Sequence, residues 1–263
     1  VPELPEVETV VRSIAPLIGR RIVSAEFRCA RVLRGGDAEE MAERVAGRRI
    51  RAIRRYGKFI LMELDRGYLM VHLGMTGRLL LGGEPGKHTH AILTFDRGVL
   101  LYDDSRQFGR LQWFAEPPER LARLGPEPLE VAFEEFHARM RGRRTSIKAL
   151  LLNQDFVRGV GNIYADESLF RAGVHPKAVA GRLGKARARR LYDAMREVLA
   201  EAIEAGGSSI SDYVDAEGRA GFFQIRHRVY GREGEPCVAC GAPVRRIVVA
   251  QRSAHFCARC QRR

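Results

Sequence analysis

Along the first 115 residues the apolar positions change their spacing from helical to alternating. Val7, Val10, Val11, Ile14 and Leu17 recur at intervals of three and four, which predicts an opening helix from about Pro5 to Leu17. Pro5 suits the first turn, where no N–H is required of it. Short apolar runs follow at Ile22–Phe27, Arg48–Arg54, Phe59–Leu64, Tyr68–Leu73, His90–Phe95, Val99–Asp103 and Leu111–Phe114. Joins such as Asp65-Arg-Gly67 and Asp96-Arg-Gly98 separate them, and the runs read as strands. That rhythm predicts a β-sandwich with the first helix at its edge or mouth.

Both patterns break at Glu116-Pro-Pro-Glu119 and again at Leu124-Gly-Pro-Glu-Pro128. Beyond these breaks the spacing is helical over Phe133–Arg141, Ser146–Asn153, Ile163–Ala172 and Lys185–Ala205. Leu191, Met195, Val198, Leu199 and Ile203 form one apolar stripe on the last of these, read as core, and Gly206-Gly207 ends it. The chain is therefore expected to be an α+β multidomain protein. Residues 1–115 form an N-terminal β-sandwich with flanking helices, 116–132 a linker, 133–224 a helical domain and 225–263 a separate C-terminal element. There is no internal repeat and no low-complexity tract.

Composition sharpens the choice of partner. The 263 residues suffice for two cores, and a mean hydropathy of −0.23 is ordinary for a globular protein. The net charge of +13 is not ordinary, and arginine, whose planar fork suits phosphate, dominates the excess. Nucleic acid is the leading partner, with an anionic membrane surface well behind. No segment approaches the roughly 20 apolar residues that span a bilayer. The first ten residues carry three glutamates and no basic residue, so no secretory signal is expected. Cysteine usage favours a reducing, cytoplasmic compartment, and Cys29 reads as a small packed residue in a strand.

The remaining cysteines carry the first specific chemistry. Cys237-Val-Ala-Cys240 and Cys257-Ala-Arg-Cys260 are separated by sixteen residues, enough for a β-hairpin that brings the pairs together. This spacing predicts one tetrahedral four-cysteine zinc site. With every ligand position filled by cysteine the site is closed and structural. The alternative, two disulfides, needs an oxidising compartment. From Arg219 to Arg263 there are ten arginines against Glu233 and Glu235, and a basic zinc hairpin points to nucleic acid.

Three further constellations admit both a functional and a bland reading. In Arg158-Gly-Val-Gly-Asn162 the glycines allow close approach and Asn162 reads as a helix N-cap, which together make a phosphate site or a plain helical joint. In His72-Leu-Gly-Met75-Thr-Gly77 and Asp104-Ser-Arg106-Gln-Phe108-Gly109, Met75 and Phe108 are either buried packing or apolar wedges for a DNA stack. The opening Pro2-Glu3-Leu4-Pro5-Glu6-Val7-Glu8 either stabilises a helix start or presents a free Pro2 amine beside Glu3. An α-amine of pKa about 7.7–8.0 is partly neutral at physiological pH and forms Schiff bases with sugar aldehydes.

These segments, with Lys58 in Tyr-Gly-Lys-Phe, Gly161-Asn-Ile-Tyr-Ala-Asp166-Glu-Ser-Leu-Phe170 and Gln251-Arg252 in the finger, occur in the order found in one family. The chain resembles the bacterial formamidopyrimidine-DNA glycosylases (8-oxoguanine DNA glycosylases) over essentially its full length. The resemblance implies a helix–two-turn–helix domain, a DNA cleft between domains, and a bifunctional repair enzyme that excises oxidised purines and then cleaves the strand as an abasic-site lyase. It implies Pro2 as nucleophile, Glu3 as general acid and Glu6 as a group that orients the amine. Lys58 and Arg252 become the acids of β- and δ-elimination. His88, Arg106, Arg143 and Asn162 become DNA contacts, and Met75, Arg106 and Phe108 fill the gap left by the everted base. The stretch Ser211–Gln224 matches the loop that closes over that base. The implied partner is double-stranded DNA with oxidised purines or abasic sites, met by a monomer carrying one structural Zn2+.

Two positions depart from the family pattern. Val1 stands where the family has a removed methionine; the expectation is a GUG start, read as methionine and cleaved. Thr89 stands where related chains often have Asp, with no expected consequence for catalysis. Two rivals stay open: a non-catalytic zinc protein that binds damaged DNA, if Val1 blocks Pro2, and an endonuclease VIII-like glycosylase for oxidised pyrimidines. The Pro-Glu-Leu-Pro-Glu opening favours the purine branch over the latter.

Overall fold

The computed structural model describes residues 2–209 and 213–263. By contacts the chain divides into two units, Val1–Arg123 with Ala205–Phe222, and Leu124–Glu204 with Phe223–Arg263.

In the first unit α1 (Leu4–Ile14) buries Val7, Val10 and Ile14 on one face. Pro16 cannot donate back into the helix, and the chain tightens into a 3-10 turn over Ala15–Leu17, so the α-helix ends before the expected Leu17. The strands are β1 (Ile22–Phe27), β2 (Leu33–Arg34), β3 (Ile50–Tyr56), β4 (Phe59–Leu64), β5 (Tyr68–His72), β6 (Arg78–Leu81), β7 (Thr89–Phe95), β8 (Val99–Asp103) and β9 (Arg110–Phe114). They form a four-stranded sheet in the order β1-β7-β8-β6 and a five-stranded sheet in the order β2-β9-β5-β4-β3. Met62, Leu69, Val71 and Leu111 of one sheet meet Leu79, Leu93, Leu100 and Tyr102 of the other around one small apolar void. The expected sandwich is therefore present. β4 is buried almost throughout rather than on alternate residues, because α1 lies against β3 and β4.

Four elements fall outside the expectation. β2 is two residues long and pairs parallel to β9, and β6 is a short Arg-Leu-Leu-Leu run without alternation. α2 (Ala38–Val45) is capped by Asp37, which accepts the Glu40 N–H at 2.8 Å, and α3 (Glu119–Ala122) is a single turn. Cys29 lies past the end of β1, packed against the core but not in a strand. Residues 205–222, grouped by sequence with the helical region, pack with the sandwich: Leu81 N–H donates to Ala216 O at 2.7 Å and Tyr213 OH to Glu6 O at 3.2 Å. Val1 and, within the expected lesion loop, Ser211 and Asp212 lie outside the described residues.

The second unit is helical, with α4 (Phe133–Met140), α5 (Ile147–Leu152), α6 (Asn162–Arg171) and α7 (Lys185–Glu204), followed by the hairpin β10 (Arg245–Val249) and β11 (Arg252–Phe256). α6 is its axis: Asn162 to Phe170 are all buried, beneath α5, α7 and β11. Leu191, Met195, Val198 and Leu199 of α7 are core, as their spacing predicts, whereas Ile203, in the last turn of the helix, is only partly buried. Residues 124–128 dock on the turn that precedes α6, with Gly125 N–H donating to Gln154 O at 2.8 Å and Arg158 N–H to Pro126 O at 3.2 Å. No helix among the described residues is long and apolar enough to cross a membrane.

Candidate active site and nucleic-acid interface

At the start of α1, Pro2 is buried and Glu3 is 3% exposed. Glu3 holds the N-cap position and forms a capping box with Glu6, whose Oε2 accepts the Glu3 N–H at 2.8 Å. Glu6 Oε1 accepts the Ser208 N–H at 2.7 Å, so one buried carboxylate holds both the N-terminus and the 205–222 segment. Further along α1, Glu8 accepts from Arg55 of β3 at 2.8 Å; burial opposes its charge, but the Arg55 and Arg12 guanidiniums hold its carboxyl below the usual range.

Lys58 occupies the tight turn between β3 and β4 and is half-buried. Its charge is felt by His72 at the end of β5, whose ring centroid lies 5.0 Å from that of Phe59 and whose Nδ1 accepts the Gly74 N–H at 3.2 Å. Burial first, then the Lys58, Arg120 and Arg110 cations, push the His72 pKa down to about 4. His72 is thus a neutral packed side chain at physiological pH, and His90 is likewise buried.

The loops 73–77 and 104–109 carry Met75, Arg106 and Phe108. Met75 is 39% exposed and Phe108 48%, which removes the reading of buried packing. The Arg106 guanidinium stacks 4.7 Å from the centroid of the Phe108 ring. The loops touch without slack. A Cβ on Gly109 would stand 1.7 Å from the Tyr102 hydroxyl, and one on Gly77 would stand 2.2 Å from Leu73 O. His88 is exposed on the neighbouring loop. Thr89 closes that loop, accepting the Gly86 N–H at 2.8 Å and donating to Asp103 at 2.6 Å, so here a hydroxyl avoids setting two carboxylates against each other.

In the second unit the turn before α6 is pinned by Gln154, which donates to Leu152 O and Val160 O and accepts the Gly159 N–H at 2.8 Å. Gly161, not Asn162, is the N-cap; Asn162 is the first helical residue, and its side chain leaves the helix to donate to Ser253 Oγ at 3.3 Å. Its Oδ1 is buried without a hydrogen-bond partner. Arg143 is exposed after α4 and donates to Arg139 O at 3.3 Å. Arg252 is exposed, the first residue after a hairpin turn in which Ala250 (φ 49) and Gln251 (φ 61) are both left-handed.

The residues next to Arg252 are fixed by a buried cluster that the sequence did not single out. Lys148, 0% exposed, donates to Asp166 Oδ1 at 2.6 Å and also to Ser253 O. Asp166 Oδ2 accepts the His255 N–H at 2.8 Å and faces His255 Nδ1 at 3.2 Å. A lysine inside Ile-Lys-Ala-Leu-Leu-Leu was the available signal. Glu167 likewise accepts the backbone N–H groups of Arg228, Val229 and Tyr230.

Cys237, Cys240, Cys257 and Cys260 converge, with all four Sγ atoms within 4.8 Å of one another. The Cys237–Cys260 and Cys240–Cys257 sulfurs are 3.9 and 3.5 Å apart. A zinc ion with bonds of about 2.3 Å to a sulfur tetrahedron needs edges of about 3.8 Å, so the quartet fits the ion.

Comparison with known proteins gives a consistent answer. Residues 1–111 match the formamidopyrimidine-DNA glycosylase N-terminal domain, 124–214 the formamidopyrimidine-DNA glycosylase H2TH domain, and 234–263 the zinc finger found in FPG and IleRS. The formamidopyrimidine-DNA glycosylase of Solibacter usitatus is 67% identical over 264 residues, and that of Methylococcus capsulatus 47% over 272, each covering 100% of both chains. The crystal structure of the MutM (Fpg) protein of Thermus thermophilus aligns with a TM-score of 0.89 at 47% identity, covering 99% of this chain and 98% of that one. The Lactococcus lactis Fpg, solved in complex with DNA containing an abasic site, aligns with a TM-score of 0.91 at 37% identity, covering 99% and 100%. With three domain matches in order and full-length relatives at this identity, the chain belongs to the formamidopyrimidine-DNA glycosylase family.

Proposed function

We propose that this base-excision glycosylase removes oxidised purines, 8-oxoguanine and formamidopyrimidines, from duplex DNA through a covalent intermediate on Pro2, and then cleaves the strand as a lyase. The observation that carries the reading is the buried Pro2-Glu3 pair fastened by Glu6. The Pro2 nitrogen attacks the anomeric carbon, and the base departs with the glycosidic electron pair. Glu3 gives a proton to the sugar ring oxygen, and the opened sugar is left as a Schiff base. Loss of a C2′ proton then breaks the C3′–O bond, with Lys58 as acid, and loss of a C4′ proton breaks the C5′–O bond, with Arg252 as acid.

His88, Arg106, Arg143 and Asn162 grip the DNA in this reading, and Met75, Arg106 and Phe108 fill the emptied stack. The sandwich carries the nucleophile and wedge, the helical region the phosphate contacts, and the finger Arg252. One structural Zn2+ holds the finger in shape and takes no part in the chemistry.

A Pro2 nitrogen bound to Val1 is a tertiary amide without nucleophilic character, so the chemistry requires a chain that starts at proline. Borohydride trapping on a duplex with 8-oxoguanine opposite cytosine tests the reading, with intact mass of the same sample. A covalent adduct on a chain beginning at Pro2 is the expected result. Binding without an adduct supports the non-catalytic rival, and trapping confined to thymine-glycol duplexes supports the pyrimidine enzyme.

A further inference from the structure

We propose that Asp104 is the positioning residue for the DNA-directed side chains of the sandwich, an assignment that rests on the wedge reading of Met75, Arg106 and Phe108. Asp104 is 0% exposed. Its Oδ1 accepts the Thr76 hydroxyl at 2.5 Å and the Arg106 N–H at 3.3 Å. Its Oδ2 accepts the Gly109 N–H at 2.8 Å and the Tyr102 hydroxyl at 3.1 Å. The Arg106 N–H is shared with Thr76 Oγ1 at 3.1 Å, which joins the two loops directly. The backbone of Asp104 is equally engaged: its N–H donates to His88 O at 2.9 Å, and His90 Nε2 donates to its carbonyl at 2.9 Å.

Every sandwich side chain assigned to DNA binding therefore stands on, or beside, a direct partner of Asp104. Met75 precedes Thr76, Phe108 precedes Gly109, and Arg106 and His88 bond to it through their own backbones. The side chains of all four reach solvent, while the group that sets their loops is enclosed. Everting a nucleotide costs a few kilocalories per mole, and an inserted side chain offsets that cost only if its place is set beforehand. Each oxygen of Asp104 accepts one backbone N–H. Neither orientation of an asparagine amide can serve both, so Asp104→Asn sets an NH2 against the N–H of either Arg106 or Gly109. Thr76→Val removes the bridging hydroxyl at constant shape, and Thr76→Ser keeps it.

Single-turnover excision from an 8-oxoguanine–cytosine duplex is compared with strand cleavage at a preformed abasic site in the same duplex. Asp104→Asn and Thr76→Val are expected to lose excision by about tenfold to a hundredfold. Both should keep abasic-site cleavage nearly intact, because an abasic nucleotide has no base to unstack. Thr76→Ser should excise at close to the wild-type rate. A purely structural role lowers both activities together, and that result, or unchanged excision, overturns the proposal. If Asp104→Asn does not fold, the Thr76 pair decides. A Met75→Ala/Phe108→Ala variant separates the two levels. Normal excision by it removes the wedge reading and this proposal with it; defective excision by it beside normal Asp104→Asn and Thr76→Val removes this proposal alone.

Discussion

Glu6 accepts the backbone N–H of Ser208 at 2.7 Å across a sequence separation of 202 residues, while its other oxygen holds the Glu3 N–H. The stretch just before the segment expected to close over an everted base and the residues expected to attack its sugar therefore share one buried anchor. Glu6→Gln keeps the size but offers one acceptor oxygen for two donors. It is expected to cost about 1–3 kcal/mol of stability and to lower borohydride trapping by tenfold or more at unchanged affinity for abasic DNA. Denaturant midpoints and trapping yields measure the two, and wild-type trapping would sink the anchor role.

Lys148 and Asp166 form an ion pair in which both side chains are 0% exposed. Lys148→Met leaves Asp166 charged and buried without its counter-ion, which is expected to cost about 3–5 kcal/mol. Because Lys148 also holds the Ser253 carbonyl, beside Arg252, the variant should stall after the first elimination and accumulate the β product. Gel separation of β- and δ-elimination products checks this; an unchanged ratio denies the link from Lys148 to Arg252.

Loss of any one zinc thiolate opens the tetrahedron that closes the finger. Cys240→Ser is expected to release zinc and to destabilise the helical unit by about 4 kcal/mol or more. Binding to an abasic duplex should weaken with it, whereas Pro2 stays chemically intact and still traps at saturating DNA. Zinc content, melting temperature and trapping on one preparation give the answer.

Mild acid should destabilise the protein through its buried histidines. An unfolded histidine takes its proton near 6.5, whereas folded His72 does so only near 4, because burial and neighbouring cations oppose the charge. Between those values the unfolded state binds more protons, so stability rises with pH. The contribution is complete above about 6.5 and is lost as pH falls towards about 4. His227, pushed to about 4 by burial, adds the same sign in the helical unit. Urea midpoints across this range should fall with pH, and His72→Gln, which keeps an acceptor for Gly74, should flatten the fall in the sandwich.

What was legible depended on whether a residue's role lies in its spacing or in its partner. The zinc quartet is carried by spacing alone, and its sulfurs converge as expected. The strands with clear turn signals formed, but α2 was missed because only Met41 and Val45 mark its buried face amid charge. Its Asp37–Glu40 cap was the readable clue. Asn162 was expected as an N-cap, yet its side chain serves Ser253, which lies 91 residues away and outside any local rule. Lys148 was invisible for the same reason, its partners Asp166 and Ser253 lying 18 and 105 residues away, and Asp104 stood only as the start of its motif because its link to Thr76, 28 residues away, leaves no local signal. For Met75 and Phe108 residue type argued for burial, and only the glycine-flanked loops argued for the exposure found.

The enclosure of the Tyr102 hydroxyl between Gly77 and Gly109 also bears on how such a protein diversifies. Neither glycine can acquire even a methyl group without pushing the loops apart. Within these two loops, change is therefore confined to exchanging the three outward side chains, at 75, 106 and 108. The scaffold beneath them is closed to gradual change, while its tips remain free to vary one residue at a time.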